Sequence, residues 1–192
     1  MSRTLLACVI ALAALTSACS ESGSPVPSTS PGTSAAPATQ KYGAPTVEKP
    51  IDAGSFLEDP CAVLTAQQAG ELGLDKEGTP RTVNSDNLYC GWKNREELSY
   101  FDFGWLNSNK GGLDDTYRVF QSGKGYFEPV EIDGYPGVFH FGTDNRDKGH
   151  CNLVVGIRDE LTFLVGVTGG GAKPCDKVRE LADLAITTMK EG

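Results

Sequence analysis

The sequence has no cluster of basic residues, only two histidines, and no apolar run long enough to cross a bilayer. Each shortage closes off a class of function. With 25 acidic against 17 basic residues and a formal net charge of −8, the surface repels phosphate backbones and anionic lipid headgroups. That argues against nucleic-acid binding and against electrostatic docking on membranes. His140 and His150 have no Gly-x-Ser-x-Gly elbow and no His-Glu-x-x-His helix to partner them, so neither reads as a catalytic residue. Close Cys-x-x-Cys pairs are missing too, and the one adjacent pair of ligand types is His150-Cys151. Neither a metal centre nor a cofactor is expected.

Two strings imitate known sites and fail on spacing. Gly166 to Lys173 resembles a phosphate-binding loop, but Gly171 is followed by Ala172, Lys173 and Pro174 rather than directly by lysine and a hydroxyl residue. It reads as a glycine-rich connection. The Asn145-x-Asp147-x-Gly149 string has Gly156 where a calcium loop needs a bidentate glutamate at its twelfth position. The acid pairs Glu96-Glu97, Asp114-Asp115 and Asp159-Glu160 fall in turns or at a helix start, where solvated charge is expected.

The start of the chain is informative. Arg3 precedes an apolar run from Leu5 to Leu15, then Thr16-Ser17-Ala18 and Cys19. A basic start, a short apolar segment and small residues before a cut describe an export signal over residues 1–18 rather than a spanning helix. Ser17 and Ala18 fit a lipobox and Thr16 departs from it. Acylation of Cys19 is the expected outcome, with an ordinary cut after Ala18 or near Gly23 as the alternative. Cys8 reads as apolar filler. An acylated Cys19 would anchor the mature protein to the cell membrane from the extracytoplasmic side. Residues 19–52 are rich in Ser, Thr, Pro, Ala and Gly and bury too little surface to fold. About thirty such residues would span roughly 30 Å as a flexible coil, and on the order of 90 Å if held in polyproline form. They read as a tether.

The remaining stretch, 53–192, is expected to be a single globular domain. Thr65-Ala66-Gln67-Gln68 is a capping-box string, and a first helix is expected over Pro60 to Leu72. Aromatic-rich runs from Leu88 to Trp92 and from Leu98 to Leu106 read as strands. Leu113, Tyr117 and Phe120 after Gly111-Gly112 mark a short helix. Strand-like pieces follow at Tyr126 to Ile132, Gly137 to Phe141, His150 to Ile157 and Leu161 to Val167. Pro174 then opens a helix with Val178, Leu181, Ala182, Ala185 and Met189 on one face. The order α-ββ-α-ββββ-α predicts an α+β fold with an antiparallel sheet of five to six strands and flanking helices.

Cys61, Cys90, Cys151 and Cys175 remain after processing. An even count outside the cytoplasm reads as two disulfides, and sequence alone allows three connectivities. The local pairing, Cys61 with Cys90 and Cys151 with Cys175, fits the expected layout. It would tie the first helix and the last helix each to a strand. Alternation places Phe101, Phe103 and Trp105 in the core and Tyr100, Asp102 and Gly104 on the opposite face. The aromatic set as a whole reads as core. Trp92 or Tyr100 exposed beside Tyr126 and Tyr135 would instead supply a stacking surface for a sugar, or an apolar groove.

Asp59-Pro60-Cys61 with Leu64-Thr65, Cys90-Gly91-Trp92, Asp133-Gly134-Tyr135-Pro136-Gly137-Val138 and the Pro174-Cys175 helix start together resemble the actinobacterial lipoprotein family catalogued as domain of unknown function 3558. The resemblance implies a cell-envelope lipoprotein and no particular activity. The expectation is a non-enzymatic domain that binds a wall component, a small ligand or another secreted protein. A wall-modifying hydrolase built on a carboxylate pair, or a structural role in envelope assembly, are the alternatives.

Overall fold

A computed structural model describes residues 40–83, 87–169 and 171–192. The expected signal peptide, the acylation site Cys19 and the tether as far as residue 39 lie outside the described residues. Seven antiparallel strands form one sheet in the order β1-β2-β3-β7-β6-β5-β4. They are β1 Thr79–Val83, β2 Asn87–Asn94, β3 Ser99–Trp105, β4 Tyr126–Ile132, β5 Tyr135–Phe141, β6 Cys151–Arg158 and β7 Leu161–Thr168. Among the described residues three α-helices accompany them: α1 Ala66–Glu71, α2 Leu113–Phe120 and α3 Pro174–Glu191.

The α+β class and the antiparallel sheet agree with the sequence reading, but the element order does not. The strand that the pattern missed is β1. It contains Pro80 and is exposed along its whole length, so no apolar alternation betrays it. Only its pairing with β2, from Thr79 opposite Gly91 to Val83 opposite Asn87, makes it a strand. The first helix is also divided. A 3-10 turn spans Pro60–Val63, Leu64 is extended, and α1 begins after Thr65. Thr65 and Gln68 form the expected capping box. An N-cap residue needs extended dihedrals to aim its hydroxyl at the third amide, so the box itself interrupts the helix expected from Pro60.

The principal core lies on one face of the sheet, beneath α3, α1 and the 3-10 turns. Phe101, Phe103 and Trp105 of β3 point into it, as the alternation requires. Phe103 and Phe163 stack at 4.9 Å, and the Trp105 indole N–H donates to the Phe56 carbonyl at 2.7 Å. Val178, Leu181, Ala182, Ala185, Ile186 and Met189 of α3 are all buried against this layer. Disulfides Cys61–Cys90 and Cys151–Cys175 join the 3-10 turn to β2 and α3 to β6, with Cα separations of 5.0 and 5.2 Å. Loops of 29 and 24 residues correspond to about 3.5 kcal/mol of stabilisation each in the chain-entropy account.

A smaller cluster covers part of the other face, where Leu113 and Tyr117 of α2 meet Val138, Val154 and Ala44. Ala44 belongs to a segment expected in the tether, and its burial corrects that boundary. Lys41, Tyr42 and Ala44 donate their amides to the Asp114 carboxylate at 2.8 to 3.3 Å. Val47 donates to Asp159 at 2.9 Å, and Ile51 to the Ile157 carbonyl at 3.1 Å. From Lys41 onward the chain is therefore a strap laid over α2 and the β6 end. Asp114 and Asp159, read as solvated charges, are its fastenings.

Candidate functional site

With α2 and the strap over β4, β5, β6 and residues 162–164 of β7, the same face of β1, β2, β3 and the far end of β7 stays bare among the described residues. Register defines what it shows. Gly91 of β2 stands opposite Thr79 and Asp102, and Asp102 stands opposite Gly166, which in turn faces Asn152. In the next row Arg81, Tyr89, Gly104 and Leu164 line up, and Lys93, Tyr100 and Thr168 form a third. Residues two apart share a face, so these side chains all project on the side away from α3.

Three strand-centre glycines shape this surface. A Cβ at Gly91 would lie 1.7 Å from the Tyr100 hydroxyl, and one at Gly104 would lie 2.1 Å from the Tyr89 ring. At Gly166 it would meet the Asn152 side-chain oxygen at 2.8 Å. Each glycine thus seats a neighbouring side chain flat against the backbone. Glycine in a strand interior costs roughly 0.5–1 kcal/mol relative to alanine, and the compensation here is a low, level surface.

Arg81 reaches across from the edge strand. Its guanidinium lies over the Tyr100 ring, 5.0 Å from the centroid, and pairs with the Asp102 carboxylate. The Arg81 side chain keeps 42 % of its surface exposed while Asp102 keeps 23 %. Burial pushes the Asp102 carboxyl above its usual range despite Arg81, which pulls it down. Burial also raises the Tyr89 and Tyr100 hydroxyls, so both remain protonated donors at neutral pH.

At the end of the β2–β3 hairpin this face runs into a shallow cavity of about 430 Å³, lined by Lys93, Asn94, Arg95, Leu98, Ser99 and Tyr100. Asn94 accepts the Glu96 and Glu97 amides at 3.1 and 2.9 Å and so folds the turn. Leu98 sits at φ +55° and is 85 % exposed. An apolar side chain is thereby held out in solvent beside the bare face, in a backbone conformation that non-glycine residues rarely adopt.

The aromatic grouping considered from sequence does not form. Trp92 is buried in the principal core, and Tyr126 and Tyr135 face the same core from β4 and β5. Tyr100 lies under Arg81 instead, with its hydroxyl over Gly91. Arg81 could not be found without β1, whereas Gly91, Gly104 and Gly166 inside aromatic strands were the available signal. His140 is buried beside Phe120, with ring centroids 4.1 Å apart, and burial drops its pKa to about 4. It lies on the covered half of the sheet, and His150 is in the β5–β6 connection. The acid pairs are dispersed: Glu97 binds Lys177, Asp115 binds Arg118, and Asp114 and Asp159 hold the strap. Among the described residues no group of three His, Cys, Asp or Glu stands close enough to hold a metal ion, and no helix is long and apolar enough to cross a membrane.

Comparison with known families gives one match: the model described as Protein of unknown function (DUF3558) covers residues 14–188. No curated protein and no solved structure matches the chain significantly.

Proposed function

The chain belongs to the DUF3558 family, and from that premise we propose that it is a non-enzymatic binding protein of the cell envelope, held to the membrane by an acylated Cys19. This reading keeps the actinobacterial lipoprotein character that the resemblance implies. The export signal, Cys19 and the Ser/Pro/Thr-rich spacer support the extracytoplasmic address. The observation that carries the binding role is the bare half of the sheet. Half of one face is roofed by a helix and a strap. Among the described residues the other half is left open and shaped by three glycines, with Arg81 held by Tyr100 and Asp102 and with Tyr89 seated over Gly104. A carboxylate already engaged by a guanidinium is suited to orienting a partner rather than to moving protons.

Two measurements test this. A photo-cross-linking amino acid in place of Thr168, exposed on the bare face, is expected to capture envelope material in intact cells. The same probe at Glu58, exposed on the far side, is expected to capture none of it. Equal capture from both positions removes the binding-face reading. Cys19→Ala is expected to move the protein from the membrane to the soluble fraction, and a wild-type chain already found in the soluble fraction contradicts the anchor.

A further inference from the structure

We infer that the bare half-face recognises a flat, β-1,4-linked pyranose chain, stacking it on Tyr89 and binding its hydroxyls through Arg81. The inference rests on the binding-face reading above and names the ligand class.

Three features of the surface point to a sugar. The first is its level profile. Tyr89 and Tyr100 both lie down on glycines, Tyr89 over Gly104 and Tyr100 over Gly91. Asp102 and Gly104 are two residues apart on β3, so the Tyr89 ring over Gly104 and the Arg81 guanidinium held at Asp102 follow one another at about 7 Å along the strands. A β-1,4-linked chain is an extended ribbon with apolar C–H faces and equatorial hydroxyl edges. It can lie along such a row, whereas an α-1,4-linked chain curls away from it.

The second is the fixed donor fork. Arg81 is clamped between the Tyr100 ring and the Asp102 carboxylate. A guanidinium has five N–H donors in one plane. Those not used by Asp102 are presented beside Tyr89 with little side-chain freedom left to lose on binding. Tyr100 and Asp102 are positioning residues in this arrangement, acting through Arg81.

The third is the balance of groups. Asn152, lying across Gly166, and the protonated hydroxyls of Tyr89 and Tyr100 supply both donors and acceptors, which neutral hydroxyls need. A net charge of −8 over the chain disfavours nucleic acid as the occupant.

The test is isothermal titration of the full-length protein in detergent with chitohexaose, a β-1,4-linked N-acetylglucosamine oligomer, and with maltohexaose as the α-linked comparator. Chitohexaose is expected to bind with a sub-millimolar Kd, and maltohexaose at least tenfold more weakly. Tyr89→Ala and Arg81→Ala are each expected to raise the chitohexaose Kd at least tenfold. Tyr89→Phe should leave it within twofold, and Phe141→Ser, exposed at the end of β5 away from this face, should leave it unchanged. Arg81→Lys retains the charge but not the planar fork and should behave like Arg81→Ala. If Tyr89→Ala unfolds, the Arg81 pair still decides. Equal affinity for both oligosaccharides, or affinity indifferent to Tyr89 and Arg81, overturns the inference. Failure of both sugars to bind while position 168 still cross-links to a protein overturns the sugar class alone. Failure of both sugars together with equal capture from positions 168 and 58 removes the binding face as well.

Discussion

At the residue scale the most exposed weakness of the fold is His140. It is 5 % accessible, on the half of the sheet that α2 roofs, and neither ring nitrogen finds a protein partner among the described residues. Burial disfavours its charged form and lowers its pKa to about 4 from an ordinary 6.5. As pH falls below 6.5 the unfolded chain takes up a proton that the folded chain refuses. Stability is therefore complete above pH 6.5, declines between 6.5 and 4, and levels off below 4. The loss amounts to about 2.5 kcal/mol at pH 4.5. His140→Phe keeps a ring against Phe120 and has nothing to protonate. Urea unfolding at pH 7 and pH 4.5 is expected to show a smaller acid-induced drop in the variant than in the wild type, by about that amount. An identical drop in both proteins would mean that His140 is hydrated in the folded state.

Among the elements, the strap is the one whose attachment is hardest to anticipate and easiest to test. Asp114 takes three backbone amides from residues 41–44, and hydrogen bonds to a charged acceptor contribute about 1.5–3 kcal/mol each at most. Asp114→Ala is expected to speed amide hydrogen exchange at Tyr42 and Ala44 more than tenfold, equivalent to about 1.4 kcal/mol of local opening energy. The Ile51 amide, bonded to the Ile157 carbonyl, should keep its protection. Uniform acceleration at all three amides would show that the strap opens as one piece with the domain. The fastenings escaped the sequence because Asp114 and Asp159 act on partners 70 to 112 residues away, and nothing local distinguishes a fastening from a solvated acid. Helix α3 was legible because its apolar stripe is its buried face, and β7 because a continuous apolar run between turns is a strand buried along most of its length. By contrast β1 buries nothing, and Arg81 was lost with it. The bare face was half legible: alternation put Tyr100, Asp102 and Gly104 together, but only cross-strand register brings Tyr89 and Arg81 to them.

For the molecule as a whole, a seven-stranded open sheet has two edges, and a protein held on a membrane by the acyl anchor proposed above would meet copies of itself at high local density. Unpaired strand edges under those conditions invite pairing between molecules. Both outer strands carry a proline, Pro80 in β1 and Pro129 in β4, together with the charged Arg81, Glu128 and Glu131. Proline cannot donate to a ladder and charge resists burial against another edge, so the sheet is protected at both ends. The β4 edge offers the cleaner test, because it borders the covered half of the sheet, at the opposite end from Arg81. Pro129→Val with Glu131→Val turns Tyr126–Ile132 into a strand with a continuous row of amides and a more apolar side. Sedimentation velocity is expected to find the double variant self-associating over a concentration range in which the wild-type chain does not change its sedimentation coefficient. Pro129 and Glu131 are exposed, while the side chains of β4 that meet the α3 core, Tyr126 and Ile132, are left in place, so the variant should keep its thermal unfolding midpoint within a few degrees when dilute. Association without that retained midpoint would point to unfolding rather than edge pairing, and no association at all would show that the proline and the glutamate are not what keeps this edge apart.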